Sequence, residues 1–309
     1  MGVVAVAGGS GPVGRTIVDA LVAHGKHRVF VFSRSDRLPE EHITYLNADY
    51  DDVQGTSDAL EDAGVDTLIC AIGVVTPDTN KAQLNLIKAA QQSKTTRRFV
   101  ISSFDMLQRQ ECVDISPLAR YTFEAIYSLE QTGLEYTRVV NGWFLGYFGM
   151  PYWQTHLHPW VNVLNMVRRW AAVPGDGSAK ANFVTTQDMG KFVANMMGLG
   201  SWSKVSTIVG DCLTMNQLVE MAEEARGSKF SVAYDSLEKL KAGKISFASE
   251  LPNIDFVTDP AAFYAMIHYQ AGLGKYEVLT SDTLNERLPE LSVTHAREVM
   301  NVWRGREDE

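Results

Sequence analysis

A chain of 309 residues has room for one large α/β domain, or for one domain with a smaller appendage. With 45% hydrophobic and 21% charged residues it can build an ordinary core without metals or disulfides. A net charge of −9 without a basic stripe argues against nucleic acid as a partner, and no apolar run nears the roughly 18 residues of a membrane span.

The chain opens on an apolar strand pattern, Val3–Ala7, with no charged leader ahead of it, and reads as cytoplasmic. Further strands are expected at Arg28–Phe32, Ile43–Asn47, Thr67–Ala71, Phe99–Ser102 and Tyr136–Val140. Most are continuous apolar runs, the mark of strands buried on both faces of a parallel sheet. Helices alternate with them. In Pro12–His24 the residues Val13, Ile17 and Leu21 recur every four positions, and in Pro117–Gln131 Leu118, Tyr121, Ala125, Ile126 and Leu129 form one stripe. Both begin on a proline, and Gly133 is expected to close the second as its C′ residue. Beyond residue 141 aromatics crowd the segment from Trp143 to Trp170, followed by the turn Pro174-Gly175-Asp176-Gly177. Helices over Thr185–Leu199, with Asp188 as a cap, and Thr214–Arg226 flank a strand at Ser206–Val209. The three cysteines, Cys70, Cys112 and Cys212, are far apart and form no metal spacing, so reduced, buried thiols are expected.

The expected fold is therefore α/β: a Rossmann-type doubly wound parallel sheet with a smaller, mainly helical C-terminal substrate-binding cap. Residues 1–155 form the dinucleotide domain, and 156–309 form the cap with the substrate pocket, partly interleaved with the sheet.

The turn after the first strand carries Gly8, Ser10, Gly11, Pro12, Val13 and Gly14. Glycines at 8, 11 and 14 let the chain turn tightly, let the backbone approach a pyrophosphate, and let the helix pack close to the strand. The free N–H groups at the helix start then hold the diphosphate. At the end of the second strand stands Arg34, with Arg37 near enough to help. An arginine there suits a 2′-phosphate, and hence NADP(H) in preference to NAD(H), because its planar fork pairs with phosphate bidentately. A solvated charged loop is the competing reading, and Asp36 could instead meet a 2′-hydroxyl. Later strand ends add Asp49 on the adenine side, Ala71-Ile72-Gly73, Ser102-Ser103-Phe104 and Asn141.

These glycines, Arg34, the run Arg98–Phe104, and Gly133-Leu134-Glu135-Tyr136-Thr137 through Asn141-Gly142-Trp143-Phe144 resemble the NmrA-like and isoflavone reductase-like branch of the atypical short-chain dehydrogenases. Pro174–Gly177 and Phe183–Gly190 extend the likeness over about two-thirds of the chain. The resemblance implies an NADPH-dependent reductase acting on a carbonyl or activated C=C of an aromatic or polyketide-like small molecule in secondary metabolism, as a monomer or homodimer. It leaves two other readings: a non-catalytic NADP(H) sensor that binds a protein partner, and a non-redox isomerase or cyclase that retains the cofactor.

The chain also departs from the branch. A lysine is expected eleven residues before Gly133, and that position is Thr122. Where relatives read Pro-Ser-Glu-Phe-Gly, this chain reads Ile101-Ser102-Ser103-Phe104-Asp105. No tyrosine has a lysine four residues later, so the usual dyad for general acid work is missing. Tyr121 is the candidate acid, although it also fits the helix's apolar stripe, and Arg120 is a candidate stabiliser. His158 is a further candidate donor; with His156 it has the wrong spacing for a metal on one helix face. Trp143, Phe144, Tyr147 and Trp153 are expected to wall the substrate pocket, since aromatic faces stack on flat substrates.

Overall fold

The computed structural model describes residues 2–33, 37, 38, 40–114, 116–160, 163–254 and 257–306. The first half runs β1 (Gly2–Ala7), α1 (Pro12–His24), β2 (His27–Ser33), β3 (Ile43–Asn47), α2 (Val53–Ala63), β4 (Thr67–Cys70), α3 (Pro77–Gln92), β5 (Arg98–Asp105), α4 (Pro117–Glu130) and β6 (Glu135–Val140). Then come β7 (Trp143–Phe144), α5 (Gly146–Gly149), β8 (Leu164–Asn165), β9 (Trp170–Pro174), β10 (Lys180–Val184), α6 (Thr186–Met196) and β11 (Val205–Thr207). The chain closes with β12 (Asp211–Thr214), α7 (Met215–Arg226), β13 (Ser231–Asp235), α8 (Leu237–Lys241), α9 (Pro260–Gly272), α10 (Leu284–Arg287) and α11 (Ala296–Asn301).

Two compact units share these elements. The first takes Met1–Val140, Gln187–Ile208 and Ser281–Leu291; the second takes Asn141–Thr186, Val209–Thr280 and Ser292–Glu309. In the first, seven strands lie in the order β11-β6-β5-β4-β1-β2-β3, every pair parallel. This is the doubly wound order, with its reversal at β1 and β4. The apolar runs explain it: Ala5, Phe30, Leu68 and Phe99 are buried in one cluster with Leu86 and Ile87 of α3 and Ala125 and Leu129 of α4. Helix starts follow local chemistry. Pro12, Pro77 and Pro117 each occupy the first turn, where a missing N–H costs nothing, and the Thr76 and Ser116 hydroxyls cap α3 and α4.

The second unit contains two three-stranded sheets, β12-β10-β7 and β13-β9-β8, beside its helices. Its core gathers Trp170, Ala172, Leu240, Ile245, Tyr264 and Ala265. His268 on α9 is fully buried, its ring tilted against Trp143, and burial pulls its pKa down to about 4. A histidine whose folded value lies below its unfolded one stabilises the fold fully above the unfolded value, and that term disappears as pH falls toward the folded one. Denaturant midpoints of the wild type should therefore fall between about pH 6.5 and 4, and His268→Gln should flatten the fall. Parallel pH profiles for the two proteins would contradict this.

Three local expectations are corrected. α4 ends at Glu130 with Gln131 as its cap, and Gly133 is not in the left-handed region. The α4 carbonyls are satisfied by the Gln131 N–H and the Thr132 hydroxyl, so no glycine closure is needed. Asp188 stands inside the first turn of α6, where its carboxylate, 1% exposed, accepts from Lys191 Nζ at 3.0 Å. Cys212 is exposed, because β12 is an edge strand of a small sheet; Cys70 and Cys112 are buried. Among the described residues no helix is long and apolar enough to cross a membrane.

Candidate functional site

β1 ends at Ala7, and the chain turns at Gly8 with φ +80°, a conformation that favours glycine. A Cβ at Gly8 would lie 2.7 Å from the Ala71 carbonyl and from Ile72 N, so the absent side chain lets the β1 and β4 ends close together. The Gly11 N–H donates to the Gly8 carbonyl at 2.9 Å, and the Arg15 N–H donates to Gly11 at 2.7 Å. Gly11 is the N-cap of α1 without a side-chain cap, and Pro12 follows. The N–H groups of Val13 and Gly14 thus have no acceptor within the helix, and they face the turn at the positive end of its dipole. A Cβ on Gly14 would sit 2.1 Å from the Gly8 carbonyl oxygen, so helix and turn are in backbone contact.

The cradle fits a diphosphate. A Cβ at Gly11 would touch only the Gly8 oxygen, at 3.3 Å, and one at Gly73 would meet nothing within 4 Å. Ser10 is exposed at the tip. Beyond the β2 end, Arg34 and Asp36 lie outside the described residues. The Arg37 guanidinium lies 5.7 Å from the Tyr45 ring centre, and the Tyr45 hydroxyl donates to Glu40 at 2.5 Å. The Arg15 side chain is committed to Asp19 at 2.8 Å and Glu40 at 2.9 Å. Hydrogen bonds from Tyr45 and then Arg15 hold the Glu40 carboxyl below its usual range. Asp49 is exposed and accepts from the Asp51 N–H at 2.9 Å.

At the ends of β4 and β5 the Ser102 hydroxyl donates to the Ile72 carbonyl, and the Ser102 N–H donates to Gln83 Oε1 at 3.0 Å. Ser102 therefore ties two strand ends together, while Ser103 and Phe104 are buried beside it. Gln83 Nε2 and Asn80 Oδ1, both on α3, are buried without a hydrogen-bond partner. Behind Phe104 stands Asp105, the last residue of β5, whose carboxyl burial pushes up to about 7. In the sequence, Asp105 stands out only as a departure from the family motif after β5.

On α4 the Thr122 hydroxyl donates to the Leu118 carbonyl at 2.9 Å, a bond inside its own helix. Tyr121 belongs to the buried stripe, and the exposed Arg120 lies 5.5 Å over its ring.

In the second unit, Asn141 is fully buried, donating to the Gly142 carbonyl at 3.0 Å while its Oδ1 has no partner. Trp143 packs against Tyr276 at 4.6 Å and Phe183 at 5.8 Å, and Phe144 is buried as well. Tyr147 meets Trp160 edge-on at 5.8 Å, and Trp160 stacks on Phe263 and meets Tyr264. The Trp160 N–H, the Tyr264 hydroxyl and the Trp153 N–H are all buried; the Trp160 N–H is directed at the Tyr264 hydroxyl, and the Trp153 N–H has no hydrogen-bond partner. Trp160 and Tyr264 were not among the pocket residues expected from sequence, since an aromatic side chain carries no mark of whether its polar end is satisfied. His158 is exposed.

The family model described as NmrA-like matches residues 1–307. An oxidoreductase, BOA1, of Botryotinia fuckeliana (strain B05.10) is 33% identical over 230 residues, which are 74% of this chain and 77% of that one. Among solved structures, AtPrR2 with NADP+ and (+)pinoresinol superposes with a TM-score of 0.74 at 22% identity, over 97% of this chain and 98% of that one. The binary complex of leucoanthocyanidin reductase and NADPH from Vitis vinifera gives a TM-score of 0.73 at 19% identity over the same shares.

Proposed function

The chain belongs to the NmrA-like family, and from that premise we propose that it is an NADPH-dependent reductase of a carbonyl or activated C=C in an aromatic or polyketide-like small molecule. The observation that carries this reading is the turn from Gly8 to Gly14, with its open N–H groups and close backbone approach. The complexes named above, one with NADP+ and one with NADPH, support the same cofactor, as does Arg34 at the sequence position where a 2′-phosphate is met. Bound there, the cofactor supplies hydride; the chain's task is to hold it, orient the acceptor and supply a proton. The backbone N–H groups of Val13 and Gly14 bind the diphosphate. Ser102, by tying Ile72 to β5, fixes the strand ends along which the rest of the dinucleotide lies.

In the second unit, the rings of Tyr147, Trp160 and Phe263 offer aromatic faces, and the Tyr264 hydroxyl, approached by the Trp160 N–H, keeps its own proton to donate. A flat, oxygen-bearing aromatic compound satisfies both features, because it stacks and accepts hydrogen bonds at once.

Fluorescence titration with NADPH and NADH tests the cofactor. NADPH should bind about ten- to a hundredfold more tightly, the worth of one charge-assisted phosphate contact. Tighter NADH binding sinks the assignment. Turnover is tested by NADPH oxidation in the presence of menadione, benzil and cinnamaldehyde, three aromatic carbonyl probes.

A further inference from the structure

A reductase needs a proton for the oxygen or carbon that the hydride leaves negative, and the helix position where the resemblance calls for a lysine holds Thr122. Its hydroxyl is spent on the Leu118 carbonyl. Tyr121 faces the core of its own unit, 5% exposed. The donor has to be sought elsewhere along the carboxyl edge of the sheet.

That edge can be divided by topology. In the order β11-β6-β5-β4-β1-β2-β3 the glycine turn follows β1, and the β2 end serves the adenosine half of a dinucleotide. The nicotinamide half then runs the other way, over the ends of β4, β5 and β6. The described side chains there are few: Cys70 is buried at the end of β4, Ser102 is tied to Ile72, and β6 ends in Val139-Val140. Ser103 on β5 and Asn141 after β6 add a hydroxyl and an amide, neither of them an acid, whereas Asp105, at the tip of β5 opposite Val140, carries a carboxyl.

Its placement is irregular. Ile101 pairs with Arg138, but Asp105 pairs with Val140, so four steps along β5 answer two along β6. Such a bulge turns side chains away from the regular alternation, and it recurs beside active sites. Here it carries Asp105 to the strand end as a partly exposed residue whose carboxyl is desolvated.

The charged side chains of the elements packed against β5 do not neutralise it. On β6, Arg138 donates to the Gln108 carbonyl at 2.8 Å and lies over Phe123, and Glu135 pairs with Arg98 at the far end of the strands. On α4, Arg120 covers Tyr121, Glu124 accepts from Asn80 at 2.6 Å, and Glu130 accepts from Tyr136. On α3, Lys81 pairs with Asp51, and Asp78 and Lys88 complete the charged set. What acts on the Asp105 carboxyl is burial, which raises its pKa to about 7, opposed only by the Met106 N–H.

We propose that Asp105, in its neutral form, faces the nicotinamide end of the cofactor and is the proton donor of the reduction, in place of the missing lysine. The inference rests on the reductase reading above. The hydride carries its electron pair from NADPH to the electrophilic carbon, and the C=O π bond breaks toward oxygen. The Asp105 O–H bond then breaks, and its proton passes to that oxygen. An alcohol, NADP+ and an Asp105 carboxylate result, and water returns the proton to the carboxylate. For an activated C=C the same proton goes to the enolate.

The test reads binding before activity. A carboxylate close to the positive nicotinamide of NADP+ favours that form over NADPH, and a neutral acid does not. The ratio of NADPH to NADP+ dissociation constants, measured by titration calorimetry, should rise about tenfold from about pH 6 to about pH 8 in the wild type. Taking the ratio removes the titration of the 2′-phosphate that both share. In Asp105→Asn the ratio should stay flat. A flat wild-type ratio, or an unchanged slope in the variant, overturns the placement. Failure of both dinucleotides to bind instead overturns the reductase reading, and this proposal with it.

A second arm needs no cofactor. A carboxyl with a raised folded value destabilises the fold as pH climbs from its unfolded value through its folded one. Asp105→Asn should thus melt progressively higher than wild type toward pH 8; a constant difference overturns the buried acid. On the aromatic probe that the wild type reduces, kcat of the variant should fall about 10²–10⁴-fold with NADPH affinity kept. Wild-type kcat in the variant overturns the donor role.

Discussion

Gly14→Ala is expected to weaken NADPH binding by more than about a hundredfold, the loss of two hydrogen bonds to a charged group. The new Cβ would stand 2.1 Å from the Gly8 carbonyl oxygen, 2.7 Å from its carbon and 2.9 Å from Gly9 Cα. All three neighbours are backbone, so no side chain can swing aside. The start of α1 has to retreat by about an ångström, and the N–H groups of Val13 and Gly14 retreat with it. Overpacking of this kind also costs about 1–3 kcal/mol of stability. Gly11→Ala is the informative companion. Gly11 has φ −80°, open to any residue, and its Cβ meets only the Gly8 oxygen at 3.3 Å. That variant should melt like wild type yet bind NADPH more weakly, since the methyl group occupies space the diphosphate needs. Binding by Gly14→Ala within threefold of wild type would falsify the account of the turn.

The second large effect lies in the second unit, far along the chain from the cofactor turn. Asp235, at the end of β13, is 0% exposed and accepts from Lys239 Nζ at 2.5 Å, from the Ser246 N–H at 2.8 Å and from its hydroxyl at 2.7 Å. The two charges are unequal in what they can do alone. Lys239 is 39% exposed, so without Asp235 it can turn to water. The carboxylate cannot, and without its lysine it stays buried with only the two Ser246 hydrogen bonds and no opposite charge. Lys239→Met should therefore cost about 3–5 kcal/mol. At about 2–4 °C per kcal/mol for a protein of this size, the melting temperature falls by roughly 10 °C. Asp235→Ala should cost less, about 1–3 kcal/mol for the orphaned Ser246 donors. Differential scanning calorimetry of both variants checks the order, and an equal or reversed order defeats it.

The parallel sheet was legible because its strands are buried on both faces and so appear as unbroken apolar runs. Val3–Ala7 and Ile43–Asn47 match β1 and β3 to within a residue, and Pro12–His24 is α1 itself. The small sheets were not legible. β7 and β8 have two residues each, too few to show a period, and Trp143 finds its partner at Phe183, across a separation no local pattern encodes. The site shows the same division. The glycine turn is a local device and can be read from spacing. Asp105 gains its chemistry from a bulge and from desolvation, both set by β6 and the core, so the sequence offered only an unexpected letter after Phe104. Trp160 and Tyr264 stand out only once the N–H of one is found facing the hydroxyl of the other inside a buried aromatic cluster.

The order of the two units along the chain has a consequence for biogenesis. β6 is completed at Val140, but its outer neighbour β11 arrives only at Val205, after the ribosome has produced β7 to β10 of the other unit. Until then the parallel sheet ends on Val139 and Val140, which are fully buried in the finished protein, and the Thr137 hydroxyl lacks its Ser206 partner at 2.8 Å. A nascent chain at that stage exposes an apolar strand edge, the feature that invites pairing with other chains. Release of a fragment ending near residue 140 should consequently yield aggregates, and heterologous production should gain from slower translation or from chaperones that cover the edge while the missing strand is made.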